Sequence, residues 1–204
     1  AILKPATAHP SSIECATLAC QDIFFTGKGA KQIPLLTTEG HAVLWQPNPM
    51  VVQFEPSAFN DAAATRINIS FYPTPEVANM LQALDEWAVN TRALESSRLF
   101  GQQLSVDEMR GRYQPALRVH PSSGSQSLWC KMNTTSRGAV KIWDTFRQPR
   151  VMPSSWLGCS VTPRIHIKGF WIMARECGPI FEVQQAMLDE AVTDCPFPEA
   201  ALMK

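Results

Sequence analysis

The chain has 204 residues, 45% of them hydrophobic and 18% charged, with 18 Lys and Arg balanced by 18 Asp and Glu. This is a globular composition of a size for one domain, which excludes disordered and fibrous classes. No apolar run approaches the ~20 residues that a membrane-spanning helix needs, so a soluble chain is expected.

Sixteen Pro and ten Gly are spread along the chain, favouring many short elements joined by turns. Residues 1–40 read as extended segments, with a loop at Lys28-Gly29-Ala30. Residues 42–54 read as two strand pieces broken by Pro47 and Pro49, because proline donates no ladder hydrogen bond. Over 66–72, Ile67, Ile69 and Phe71 alternate with Asn68 and Ser70, the period of a half-buried strand. The period then changes. Thr74-Pro75 supplies an N-cap and a proline at the first helical position. Val77, Met80, Leu81, Leu84, Trp87 and Ala88 recur at helical spacing, which predicts one amphipathic helix over 74–97. Phe100-Gly101 ends this segment, and Ser105-Val106-Asp107-Glu108 is a capping box that opens a short second helix toward Tyr113.

Strands return after Pro115. Leu128, Cys130 and Met132 alternate with Trp129 and Lys131, and Val140 and Ile142 alternate with Lys141 and Trp143. Val161, Ile165 and Ile167 lead into Gly169 and the apolar run 170–174, and Phe181 and Val183 open a last strand. Residues 187–204 are expected to leave the sheet and lie over the surface or against a partner, since Pro196 and Pro198 lack the N–H that a helix or ladder requires. The pattern is strands, helices, strands. It predicts a single domain over 1–204, mainly β or α+β, with a helical insertion at about 74–112.

Motifs for catalysis and metal binding are missing. The six Cys, at 15, 20, 130, 159, 177 and 195, form no Cys-x-x-Cys pair and the four His are scattered, so no zinc site is expected. There is no phosphate-binding glycine loop, no His-Glu-x-x-His and no Gly-x-Ser-x-Gly. Asp85-Glu86 and Asp107-Glu108 are neighbours on helices and point in different directions, which suits solvated faces. The expectation is a non-enzymatic binding protein without a cofactor. A first residue other than Met fits removal of the initiator, removal of a presequence or an expression boundary. A nuclear, cytoplasmic or, after processing, organellar location is open.

Charge is unevenly distributed. Residues 1–109 carry 6 basic and 11 acidic side chains, 110–175 carry 11 basic side chains and one acid, Asp144, and 176–204 carry one Lys and six acids. The central block, at net +10, suggests either a polyanion partner or neutralisation by the acidic segments folded over it. Aromatics are interleaved within it: Tyr113, Trp129, Trp143, Phe146, Trp156, Phe170 and Trp171. Phosphates need cations and bases need flat side chains, the two requirements of single-strand binders. Strand alternation puts Trp129 on one face with Lys131, and Lys141 on one face with Trp143, both opposite the aliphatic residues. The candidate nucleic-acid contacts are Arg110, Arg112, Arg118, Trp129, Lys131, Lys141, Trp143, Arg147, Arg150, Arg164 and Lys168.

An ordered set of landmarks carries a family resemblance. It comprises Ile2-Leu3-Lys4-Pro5, Leu84-Asp85-Glu86, Phe100-Gly101, residues 104–118, Lys141-Ile142-Trp143-Asp144, residues 165–171 and residues 178–186. Through these the chain resembles predicted single-stranded-DNA-binding proteins of large DNA viruses of algae and protists, which are themselves similar to phage single-stranded-DNA-binding proteins with an OB fold. The resemblance implies an OB-like β-barrel or curved antiparallel sheet with a helical insertion, binding single-stranded DNA or RNA without catalysis or metal. The chain departs from the phage pattern at its end, where the strongly acidic tail typical of those proteins is replaced by a mildly acidic one with apolar residues. Lys is also sparse, with seven in all. These departures leave a second expectation open: an accessory subunit docking with other subunits of a large complex.

Overall fold

The computed structural model of the chain describes residues 13–27, 30–58, 65–135 and 138–189. After a 3-10 turn at Cys15–Thr17 come β1 (Leu18–Cys20), β2 (Phe24–Gly27), β3 (Ala30–Thr37), β4 (Leu44–Trp45), β5 (Met50–Ser57) and β6 (Arg66–Tyr72). Three helices follow: α1 (Pro75–Leu94), α2 (Ser96–Phe100) and α3 (Val106–Arg110). The chain then forms β7 (Leu117–Val119), β8 (Gln126–Asn133), β9 (Lys141–Trp143), β10 (Pro149–Arg150), β11 (Ser160–Met173) and β12 (Glu176–Leu188). The fold is mainly β, with the helices inserted between β6 and β7.

The strands form one mixed sheet rather than a purely antiparallel one. β12 pairs in parallel with both β8 and β9, and the other named pairings are antiparallel. The direction follows from the connections: β11 carries the chain back across the sheet, so β12 returns running the same way as β8 and β9. Five strands complete a circuit. β5 pairs β6, β6 pairs β8, β8 pairs β12, β12 pairs β11, and β11 pairs back onto β5. Beyond the circuit, β4 and β3 continue along the same edge of β11 that β5 begins.

Pleating sorts this circuit into an apolar and a polar side. Ile67, Met132, Val183, Ile165 and Trp45 are register partners in succession across β6, β8, β12, β11 and β4. Met132, Val183, Ile165 and Trp45 on that rung are buried. The strand pieces flanking Pro47 and Pro49 are β4 and β5, as the proline positions predict. The last strand runs through Leu188, two residues into the stretch expected to leave the sheet, because Met187 and Leu188 still pair with Thr162 and Val161. Residues 190–204, including both prolines, lie outside the described residues.

The insertion begins as its sequence predicts. Thr74 Oγ1 accepts from Val77 N–H, and Pro75 is the first helical residue. Val77, Leu81, Leu84 and Ala88 are fully buried in the core, and Trp87 sets its ring 6.3 Å from Phe170 of β11. The single helix expected over 74–97 is instead two, parted at Glu95. Here Ser96 Oγ donates to Ala93 O and accepts from Leu104 N–H, while Gln103 Nε2 also donates to Ala93 O. Side chains thus take the carbonyl that a continuing helix would need. The capping box at Ser105 and Glu108 forms in full and starts α3.

Asp85 joins the insertion to the sheet. Its carboxylate accepts from Tyr113 OH at 2.8 Å and from Ala116 N–H at 3.0 Å. Burial raises its pKa to about 6, against the pull of those two hydrogen bonds. Because the folded value lies above the unfolded one, this group's contribution to stability is full below about pH 4 and is lost as the pH rises through about 6. Wild type should therefore gain about 1 kcal/mol between pH 7 and pH 5 relative to Asp85→Asn. Denaturant midpoints of the two proteins at both pH values would check this, and parallel pH profiles would refute it.

No helix among the described residues is long and apolar enough to cross a membrane.

Candidate nucleic-acid interface

The outer face of the circuit repeats the register logic with polar residues. Asn68, Lys131, Glu182 and His166 are successive partners across β6, β8, β12 and β11. Further along β12, Gln185 is flanked by Lys141 and Arg164, and Met187 by Trp143 and Thr162. In the opposite direction, Phe54, Ser70 and Trp129 form a rung across β5, β6 and β8. A continuous face therefore runs along β12 from Trp129 past Lys131 and Lys141 to Trp143. At ~3.3 Å per residue its length is about 20 Å.

Each end widens into a groove. At one end, a groove of about 560 Å³ is lined by Arg118, Trp129, Trp171 and Phe181, among others. The Arg118 guanidinium lies 5.4 Å from the centre of the Trp129 ring, and Phe54 lies 6.3 Å from Trp129. At the other end, a groove of about 490 Å³ is lined by Gln46, Trp143, Arg147, Thr162, Arg164, Gln185 and Met187. Trp143 Nε1 donates to Gln185 Oε1 at 3.1 Å, which fixes the indole against β12.

Two cations of the face cluster on one acid, Glu182. Glu182 Oε2 accepts from Arg66 Nη2 and Lys168 Nζ, each at 3.2 Å. Lys131 donates to Asn68 Oδ1 at 2.6 Å. Burial lowers the Lys131 pKa, and the like charges of Arg66 and Arg118 lower it further. Burial also lowers His166, with Lys168 adding to the shift and Glu182 opposing it. Among the described residues, no carboxylate pairs with Lys141, Arg147 or Arg164. Arg164 Nη2 is buried without a hydrogen-bond partner, an arrangement that native interiors seldom leave uncompensated.

The residues singled out from sequence separate into two groups. Arg118, Trp129, Lys131, Lys141, Trp143, Arg147, Arg164 and Lys168 are brought to this face or its two grooves. The other three are placed elsewhere. Arg110 is held by Glu86 on α1 in a bidentate ion pair of 2.5 and 2.9 Å. Arg112 lies over the Phe100 ring at 5.4 Å within the insertion. Arg150 is the register partner of Ile142, so the pleat directs it away from the Lys141 and Trp143 side. The Glu86–Arg110 and Glu182–Lys168 pairs show that, among the described residues, acidic segments neutralise part of the basic block locally.

Among the interleaved aromatics, Tyr113, Trp156 and Phe170 are buried in the core. Sequence reasoning did not select Arg66, Phe54 or His166. Arg66 lies in an acidic stretch, and only cross-strand register places it beside Lys131 and Glu182.

No protein-family model and no curated protein matches this chain. Among solved structures the chain is similar to gp2.5, a single-stranded DNA binding protein encoded by bacteriophage T7. That likeness has 11% identity and a TM-score of 0.48, over 79% of this chain and 97% of the other. The chain is also similar to a C-terminally truncated single-stranded DNA-binding protein from bacteriophage Enc34. There the identity is 11% and the TM-score 0.46, over 85% and 94% of the two chains.

Proposed function

We propose that this chain binds single-stranded nucleic acid on the outer face of β12 and its neighbours, without catalysis, and that the five-strand circuit serves as an OB-like barrel. The observation that carries this reading is the set of outer rungs. They align Lys131, Lys141 and Arg164 between Trp129 and Trp143, and the Glu182 carboxylate on these rungs is already bound by two cations. Cations on the strands flanking β12 suit a phosphate backbone running along it, and indoles at either end suit unstacked bases. A phosphate or base oxygen would also satisfy the orphaned Nη2 of Arg164.

The OB-like reading has separate support. The circuit order β5, β6, β8, β12, β11 is compatible with a five-stranded Greek-key barrel, and OB folds bind oligonucleotides on the face of their second and third strands. On this reading those strands correspond to β6 and β8, which carry Asn68, Trp129 and Lys131. The resemblance to single-stranded-DNA-binding proteins of large DNA viruses belongs to the same proposal.

Titration of labelled oligo-dT and oligo-U at low and moderate salt tests it. Affinity should fall with salt at about −0.7 per neutralised phosphate on a log–log plot. Lys141→Gln should flatten that slope by about the same increment. Trp143→Ala should weaken binding by roughly 5- to 100-fold with the slope unchanged, since a stacked base is worth about 1–3 kcal/mol. Wild-type protein that binds neither oligonucleotide at low salt would sink the proposal.

A further inference from the structure

The β9–β10 hairpin borders the groove of Trp143 and Arg164, and its tip is not explained by packing. Trp143 pairs with Pro149, leaving 144–148 as the turn. Asp144 closes this turn three times over. Its N–H donates to Gln148 O at 3.0 Å, its carbonyl accepts from Arg147 N–H at 3.0 Å, and its Oδ1 accepts from Gln148 N–H at 2.8 Å. Arg147 adopts φ 63°, the left-handed region that residues with a Cβ seldom enter. The turn is thus held in one shape against the preference of its own backbone. Backbone strain of this kind persists where the surroundings impose it and is concentrated at sites of recognition.

That shape has a consequence for the two residues at the tip. Arg147 lines the groove, and Phe146 just before it stands 76% exposed. A single exposed ring is ordinary on a protein surface. A ring presented by a strained turn that Asp144 closes with three hydrogen bonds, beside a groove already lined by an indole and two guanidinium groups, is not accounted for in that way. We propose that Phe146 is a base-stacking contact that lengthens the strand path by one nucleotide beyond Trp143, with Arg147 meeting the intervening phosphate. This inference rests on the nucleic-acid reading above. The ligand is a nucleobase of either sugar chemistry, because stacking uses the π-face that every base presents.

The test is a coupling measurement with full-length protein. Oligo-dT of ~15 nucleotides, near the upper end of OB site sizes, is compared with oligonucleotides carrying one abasic residue at successive positions. Phe146→Ala should lower affinity for intact oligo-dT by roughly 5- to 100-fold. For the oligonucleotide whose abasic residue removes the stacked base, that loss should largely vanish. Phe146→Leu keeps an apolar side chain without a ring and should behave like the alanine variant. Because the side chain is exposed, both variants should keep the wild-type thermal midpoint. Wild-type binding that is unaffected by Phe146→Ala overturns the inference and leaves the nucleic-acid reading standing. So does a loss that is equal on every abasic oligonucleotide, or full rescue by leucine. Failure of the wild-type protein to bind any oligonucleotide overturns both.

Discussion

Gly169→Ala should destabilise the chain by on the order of 5 kcal/mol, enough to unfold most domains of this size. Gly169 lies at a register shift in β11, opposite Pro34 of β3. Its φ of +131° is one that side chains with a Cβ rarely tolerate. A Cβ built there would stand 1.9 Å from the carbonyl oxygen of Ile33 and 2.9 Å from Leu35 N. Both obstacles are backbone, and β3 is held on its far edge by β1 and β2, so neither can swing aside as a side chain would. The effect would reach the candidate interface, since β11 also carries Arg164, His166 and Lys168. Denaturant unfolding measures it directly. A loss under about 1 kcal/mol would mean that β3 and β11 can separate at this point without cost to the core.

Leu84→Asp should cost about 4–6 kcal/mol, combining loss of a buried leucine with insertion of a carboxylate into an apolar site. Leu84 is 0% exposed on the face of α1 that packs with Val77, Leu81 and Ala88 in the core. The site offers the new carboxylate little relief, because the neighbouring Asp85 is itself a half-buried acid whose pKa burial has raised. The two would repel. Stability should consequently recover as the pH falls toward 5, where both carboxyl groups take up protons. The control is Leu94→Asp at the 82% exposed end of the same helix, which should change stability by no more than about 0.5 kcal/mol. Equal losses from the two substitutions would show that the helix, and not the buried face, is what suffers.

Residues that shape the interface and residues that hold the fold are close neighbours along the chain. On β8, Leu128, Cys130 and Met132 are buried while Trp129 and Lys131 face outward. On β11, Ile165 and Ile167 are buried between Arg164, His166 and Lys168. A one-residue slip in either strand would exchange the two sets, so the apolar core itself fixes which side chains a ligand meets.

What the sequence determined by itself was local and periodic. Period-two alternation in β6, β8 and β9 set which side chains share a face, because the pleat sends neighbours to opposite sides whatever the strand pairs with. Thr74-Pro75 and the Ser105–Glu108 box set where helices start, because capping is completed within four residues. The tertiary structure decided everything that depends on distant partners. It broke the helix at Glu95 through Ser96, Gln103 and Leu104. It placed Arg110 against Glu86, and it turned Arg150 away from Trp143. It brought Arg66 from an acidic stretch to Glu182, 116 positions away. It also closed β5 onto β11 and ran β12 parallel to β8 and β9. Charge and aromatic content are visible along the chain, but a shared surface is made by hydrogen-bond register between strands. Register is chosen by the fit of the whole core and is written in no single segment.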